Sequence, residues 1–418
     1  MKKILIVLGI LGLVFSGFAD DYKTYFSRYV AIGDSITAGF QDGGLVDYYQ
    51  NVSFPKLLAD RAGAATFEMP LVSPPGIPPV LTLIVDASGN FNLAPSSTIF
   101  GVPENLNYPA PYNNLAVPGA DTHDVLYTVT DNGGYHDLVL RGLGTQLQQA
   151  IALNPTLITL WIGNNDVLGA VLVGRVIEGV TITPVAVFER NLRKIVATLK
   201  QKTNAKIVML NIPQVTLIPF ANYVKPYIEA NGQKIYLIGP KGLLTDNDLV
   251  LLSALPYIYQ GIGVPIAAGG TGLPLPDEVV LDSSEKAKVM GRVNKFNSII
   301  KQVSSEYDIP LLDINGLFQN AATEGITIGG VTFTNAYLTG GLFSLDGVHP
   351  STMGHALIAN YLIELMNENF DWEMPLIDLS KYFWTSPRPS SSTAVTGYAV
   401  DNLIKMFRPI RDRVHREK

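Results

Sequence analysis

Arg28-Tyr29-Val30-Ala31-Ile32-Gly33-Asp34-Ser35 is a short β-rich run that stops on a glycine, a carboxylate and a hydroxyl. Its apolar residues do not alternate with polar ones, as expected of a strand covered on both faces of a parallel sheet. Three later runs have the same character. Leu157 to Ile162 ends in Gly163-Asn164-Asn165-Asp166, Lys206 to Leu210 ends in Asn211-Ile212-Pro213, and Ile309 to Leu312 ends in Asp313-Ile314-Asn315. Helical spacings fall between them. Leu143, Leu147, Ala150 and Ile151 share a face before the second run; Phe188, Leu192, Ile195, Val196 and Leu199 do so before the third. Val289, Val293, Phe296, Ile300 and Val303 precede the fourth, behind an Asp282-Ser283 N-cap. His355, Ile358, Leu362 and Leu365 follow Pro350-Ser351 at the same period. Strand and helix alternate, so the chain is expected to be α/β with a mainly parallel sheet. Ligands of such sheets bind beyond the carboxyl ends of the strands, where Ser35 and Asn165 fall.

Composition narrows the function. The 418 residues are enough for one large domain or two ordinary ones. Only 16% are charged, against about 25% in typical soluble domains, so part of the surface must be unusually apolar. That favours an apolar ligand or life near a membrane. The net charge of -6 and the lack of a basic stripe in the body of the chain speak against a nucleic-acid partner. There is no cysteine, which removes disulfides, thiolate catalysis and a lipidated cysteine anchor.

Residues 1–19 resemble an export signal. Lys2 and Lys3 precede the apolar run Ile4 to Phe15, and Gly17-Phe18-Ala19 offers small residues for cleavage. The expectation is a mature chain starting near Asp20, in the periplasm, on the outer membrane or outside the cell. An uncleaved anchor is the alternative. The main domain is expected over 20–382, interrupted by two apolar insertions at about 66–111 and 216–276, either lids or small β-subdomains. The remainder, 383–418, reads as a linker and a basic amphipathic tail, with Leu403, Ile404, Phe407, Ile410 and Val414 beside four arginines. Such a helix can lie on an anionic membrane, although Pro409 interrupts it. Docking on its own domain is the simpler reading.

Four polar motifs carry the chemistry: Gly33-Asp34-Ser35, Asn114 to Ala120, Gly163 to Asp166, and Asp346-Gly347-Val348-His349-Pro350. A serine at the sharp exit of a strand is rigid and exposed, but becomes a nucleophile only when a base takes its proton. Its alternative role is to cap the following helix. His349 is the candidate base among five histidines, and Asp346, three residues earlier, is placed to hold its Nδ1–H. The N–H groups of Ser35 and Gly119 and the amide of Asn165 are candidate oxyanion donors. Turn formation is the plainer role for Asn164-Asn165-Asp166. His123 and His136 lie near Asp121, Asp124 and Asp137, but without a paired-histidine metal spacing.

These motifs resemble the sequence blocks of the SGNH (GDSL) hydrolase family. Gly33-Asp34-Ser35 matches the first block, with Ile36 where leucine is usual; Gly119, Asn165 and the Asp346–His349 pair match later ones. The resemblance implies a three-layer α/β/α sandwich of flavodoxin-like plan. It implies ester hydrolysis by Ser35, His349 and Asp346, with an oxyanion hole of Ser35, Gly119 and Asn165. It implies neither a metal nor a cofactor. No Gly-x-Ser-x-Gly elbow occurs, which argues against the commoner α/β-hydrolase plan. The expected partner is a small acyl ester or lipid of medium or long chain. Acyl transfer to another alcohol, an acetylated sugar as substrate, and an inactive lipid- or glycan-binding protein are the alternatives.

Overall fold

The computed structural model describes residues 22–85, 91–230 and 232–383. The expected signal at 1–19 and the expected linker and tail beyond 383 lie outside them. The central sheet has four parallel strands in the order β1 (Tyr29–Gly33), β2 (Leu157–Trp161), β3 (Lys206–Leu210) and β4 (Leu311–Leu312). A fifth row runs along the free edge of β1. Asn113 O accepts from Ala31 N at 2.9 Å, Leu115 N donates to Ala31 O at 2.9 Å, and Val117 N donates to Gly33 O at 3.2 Å, with a parallel bridge between Ala31 and Asn114. The chain therefore leaves β1 for one side, returns, and builds the rest of the sheet on the other. That reversal is the switch point where open α/β sheets bind ligands, and Ser35 stands at it.

Neighbouring strand residues point to opposite faces. Val30, Ile32, Ile158, Leu160, Ile207 and Met209 bury against the Val185–Lys202 and Ser283–Glu306 helices. Tyr29, Ala31, Leu157, Trp161, Val208 and Leu210 bury against Phe54–Ala62 and Thr352–Phe370. The result is a three-layer α/β/α sandwich. Asp282 caps its helix by accepting from Glu285 N, and Ser351 caps the last long helix by accepting from Gly354 N.

One local expectation needs correction. Leu143 is 52% exposed and lies outside its helix. Gly142 and Gly144 adopt positive φ, and Thr145 caps a helix that begins at Gln146. The helix after Ser35 is one turn, Ser35–Ala38, ended by Gly39 at φ 85°. Asp346 and His349 sit in a loop closed by a bridge between Phe343 and Pro350.

Neither apolar segment is structureless. Residues 66–111 contain an antiparallel hairpin, Leu81–Val85 with Phe91–Pro95. Residues 216–276 contain two more, Tyr227–Ala230 with Gln233–Tyr236 and Ile238–Gly239 with Gly242–Leu243. The second segment has a small core of its own around Leu237, Leu244, Val250, Val264 and Leu275. Among the described residues no helix is long and apolar enough to cross a membrane.

Candidate active site

The turn after β1 is built to leave one hydroxyl free. Gly33 has no room for a side chain, since a Cβ there would meet Thr37 Oγ1 at 2.2 Å and Trp161 O at 2.8 Å. Asp34, not Ser35, is the N-cap, and its Oδ1 accepts from Ile36 N at 3.1 Å. Ser35 is then the first helical residue, where its N–H has no intrahelical acceptor.

The Ser35 hydroxyl faces His349. Nε2 of His349 lies 2.8 Å from Ser35 Oγ, and Nδ1 lies 2.9 Å from Asp346 Oδ2. Ser35, His349 and Asp346 are 9%, 3% and 0% exposed, so the chain of bonds is screened from water. Asp346 is heavily supported: its Oδ1 accepts from Val348 N at 2.8 Å and His349 N at 2.9 Å, and its Oδ2 also accepts from Gly43 N at 2.9 Å. Burial alone would push its carboxyl up. The facing charge of His349 and the hydrogen bonds from His349 and Val348 outweigh burial and hold it below the ordinary carboxylate value. The Phe40 ring packs 4.8 Å from the His349 ring, centre to centre.

Three segments carry the expected oxyanion donors, and buried carboxylates tie them together. Asn164 Nδ2 donates to Asp34 Oδ2 at 2.8 Å, joining the Ser35 turn to the start of the Asn165–Leu172 helix. Asp166 accepts from Thr122 N at 2.9 Å and Thr122 Oγ1 at 2.8 Å, joining that helix to the loop of Gly119. Asn165 Nδ2 donates to Ala120 O at 2.9 Å, which leaves its second amide proton for another acceptor. Gly119 has φ 84° and open space where a Cβ would project, a backbone that only glycine adopts readily. Burial raises Asp34 to about 6 despite its bonds from Asn164 and Ile36. Burial, with the charge of Asp121, pushes Asp166 well above the usual range.

Asp121, His123 and Asp124 bring three potential ligand atoms within 4.8 Å of one another. Both carboxylates serve a reciprocal capping box at the Thr122–Tyr127 helix. His136 Nδ1 lies 3.1 Å from Asp131, well apart from that group in its bonding.

The sequence does not reveal the ties between these segments. Asn164, Asp166 and Asp34 act across the strand ends, and only the clustering of polar residues in two motifs hinted at it. Asp42 was missed altogether; its one local signal is the Asp42-Gly43-Gly44 turn composition.

An apolar cavity of about 110 Å³ is walled in part by chain neighbours of Ser35 and His349. Ile36, next to Ser35, and Val348 and Pro350, flanking His349, contribute to its wall, with Trp161, Phe318, Ala321 and Leu357.

Solved structures similar to this chain are of low sequence identity. A crystal structure of an acetylxylan esterase from Geobacillus stearothermophilus is 14% identical, covering 83% of this chain and 95% of its own, with a TM-score of 0.38. A phospholipase A1 from Streptomyces albidoflavus is 14% identical, covering 82% and 98%, with a TM-score of 0.35. A putative GDSL-like lipase from Parabacteroides merdae is 14% identical, covering 82% and 96%, with a TM-score of 0.35. No curated protein sequence matched. The sequence model of the GDSL-like lipase/acylhydrolase family matches residues 29–362, which span the sheet, its flanking helices as far as the first half of Thr352–Phe370, and every motif described above. The chain belongs to the GDSL-like lipase/acylhydrolase family and is a carboxylic ester hydrolase.

Proposed function

We propose that Ser35 is the nucleophile, His349 the general base and acid, and Asp346 the group that orients His349, acting on esters with an apolar acyl chain. The observation that carries this reading is the unbroken buried chain from Ser35 Oγ through His349 to Asp346. His349 Nε2 takes the hydroxyl proton as Ser35 Oγ bonds to the ester carbonyl carbon. The carbonyl oxygen becomes an oxyanion, held by the N–H groups of Ser35 and Gly119 and by the free Asn165 amide proton. Collapse expels the alcohol, which leaves with the proton from His349. Water then attacks the acyl-enzyme by the same steps, His349 again moving the proton, and returns Ser35 with release of the carboxylic acid. Asp346 stays ionised throughout and stabilises the imidazolium.

The cavity supports an apolar substrate, because its wall offers almost nothing to hydrogen-bond a sugar. At about 110 Å³ it is of the order that accepts a small hydrocarbon, about 150 Å³ for benzene. The test is Ser35→Ala. The folded variant is expected to lose hydrolysis of p-nitrophenyl butyrate and labelling by a fluorophosphonate probe, both present in the native enzyme. Full activity of the folded variant overturns the mechanism. Export is proposed on the sequence of residues 1–19 alone, and N-terminal sequencing of protein released by expressing cells tests cleavage near Asp20.

A further inference from the structure

A few residues past Ser35 the chain makes a tight turn, in which Gln41 N donates to Gly44 O at 3.2 Å and Gly44 N donates to Gln41 O at 3.0 Å. This turn grips the loop that carries Asp346, some three hundred residues later. Asp42 N donates to Ser344 Oγ at 3.1 Å, Asp42 Oδ1 accepts from Leu345 N at 2.6 Å, and Gly43 N donates to Asp346 Oδ2 at 2.9 Å. Three consecutive residues of one loop are thus held by two consecutive residues of the other. The second Asp42 oxygen accepts the Tyr49 hydroxyl. Asp42 is 4% exposed and adopts φ 48°. A buried carboxylate in a backbone conformation that favours glycine is a costly choice for a simple turn.

We propose that Asp42 is a positioning residue for the Ser35–His349–Asp346 site: it fixes the 344–346 backbone so that Asp346 meets His349, and its negative charge adds to that of Asp346. The proposal rests on the reading of Ser35 as nucleophile. Asp42 acts through the loop and through its charge, not by contact with the reacting atoms.

The titratable groups around Asp42 are Tyr48 and Tyr49 on its own side, Asp346 opposite, and Tyr337, whose hydroxyl donates to Leu345 O. All three elements face it with acids. Burial pushes the Asp42 carboxyl up to about 6, the bonds from Tyr49 and Leu345 oppose this, and the charge of Asp346 adds to it. As pH falls through that range Asp42 takes up a proton. The imidazolium formed as Ser35 attacks then loses part of its electrostatic support. The acid limb of the rate profile should therefore carry the ionisation of Asp42.

The test uses the full chain and two readouts: the rate of Ser35 labelling by a fluorophosphonate, and kcat and KM on p-nitrophenyl butyrate, each against pH. Asp42→Asn keeps an acceptor for Leu345 N and can donate to the Tyr49 oxygen. It is expected to run several-fold slower than native at mildly alkaline pH and to show one ionisation fewer on the acid limb. Asp42→Ala releases the loop, and kcat should fall about 10- to 100-fold with little change in KM, as a misplacement of about 1 Å does. Tyr49→Phe removes a bond that favours the charged form, so the acid limb should move to higher pH. Asp42→Ala with native kcat overturns the inference. So do Asp42→Asn and Tyr49→Phe with the native acid limb, and these two decide the matter if the alanine variant does not fold. A native enzyme that neither labels nor hydrolyses esters overturns the reading of Ser35 itself, whereas native labelling with unaltered profiles in the variants overturns Asp42 alone.

Discussion

Ala321→Leu should shorten the acyl chain that the enzyme prefers. Ala321 is 2% exposed on the Ile314–Thr323 helix and lines the cavity together with Ile36, Val348 and Pro350, the chain neighbours of Ser35 and His349. Each methylene taken from water into apolar surroundings is worth about 0.8 kcal/mol, close to fourfold in rate. In the native enzyme kcat/KM should rise about 15-fold from acetate to butyrate, two methylenes, if those carbons bury in the transition state. Leucine at 321 adds three carbons to the wall of a space of about 110 Å³. Hexanoate then loses about three buried methylenes, about 2.4 kcal/mol or 60-fold, while acetate is unaffected. The assay is a p-nitrophenyl ester series from acetate to decanoate with native and variant enzyme. Thermal unfolding guards against strain, since overfilling a core costs about 1–3 kcal/mol. A folded variant with the native chain-length dependence refutes the assignment of this cavity to the acyl chain. Equal losses on acetate and hexanoate refute it too, because they mean that the substitution acts on the reactive groups. An acetate optimum in the native enzyme would favour small acyl groups and sink the lipid reading.

Other perturbations separate the roles around Ser35. Asp346→Asn leaves the loop bonded through Oδ1 but favours the wrong His349 tautomer, and kcat should fall about 10⁴-fold with KM little changed; a loss under about tenfold in steady-state kinetics would contradict the orienting role. Asn165→Ala removes one oxyanion donor and should cost about 2.7–4 kcal/mol in transition-state stabilisation, read as kcat/KM; an unchanged value would exclude its amide from the oxyanion hole. Asp42→Asn should make the protein more stable at pH 8 than native and give no gain at pH 4. The sign follows from the raised carboxyl: the folded state holds the proton more tightly than the unfolded chain. The stabilising contribution of the protonated form is complete below the unfolded value near 3.8 and is lost as pH rises through about 6. At about 1.36 kcal/mol per pKa unit the difference is about 3 kcal/mol, measurable by urea unfolding at the two pH values.

The alternation of apolar runs and helical spacings was legible because each run buries on both faces. Val30 and Ile32 meet one helical layer, and Tyr29 and Ala31 meet the other. Nothing in such a run can be exposed, so composition alone marks it. The row at 113–117 escaped notice for the opposite reason. It holds two asparagines and pairs with β1 through a few backbone bonds, and backbone pairing leaves no periodic trace. The Leu143 error arose because a glycine on either side, Gly142 and Gly144, outweighs a helical spacing. Ser35, His349 and Asp346 could be singled out because they stand in short polar motifs between apolar runs, with His349 one of five histidines. Asp42 could not: its partners on that loop, Ser344 and Leu345, are about three hundred positions away, and one of its two bonds to them leaves from its backbone N–H.

The site sorts its buried carboxylates by what faces them. Asp346 has His349 and three backbone N–H groups, and its charge is favoured even with no exposure. Asp34 has a side-chain amide and one N–H, and burial wins, to about 6. Asp166 is buried, faces Thr122 and the repelling charge of Asp121, and is pushed well above the usual carboxylate range. A carboxylic acid in such a place needs no charge to act as a clamp, because either protonation state accepts a hydrogen bond. Asp34 and Asp166 therefore do their joining of the Ser35, Gly119 and Asn165 segments with geometry alone. Asp42 differs because it stands beside Asp346, where another negative charge raises the energy of the resting site and lowers that of the imidazolium. A group retained only for folding would be better as asparagine, which makes the same bonds without the cost of ionisation. Stability at alkaline pH that improves in Asp42→Asn while turnover declines is the combination that distinguishes a charge kept for turnover from one kept for the fold.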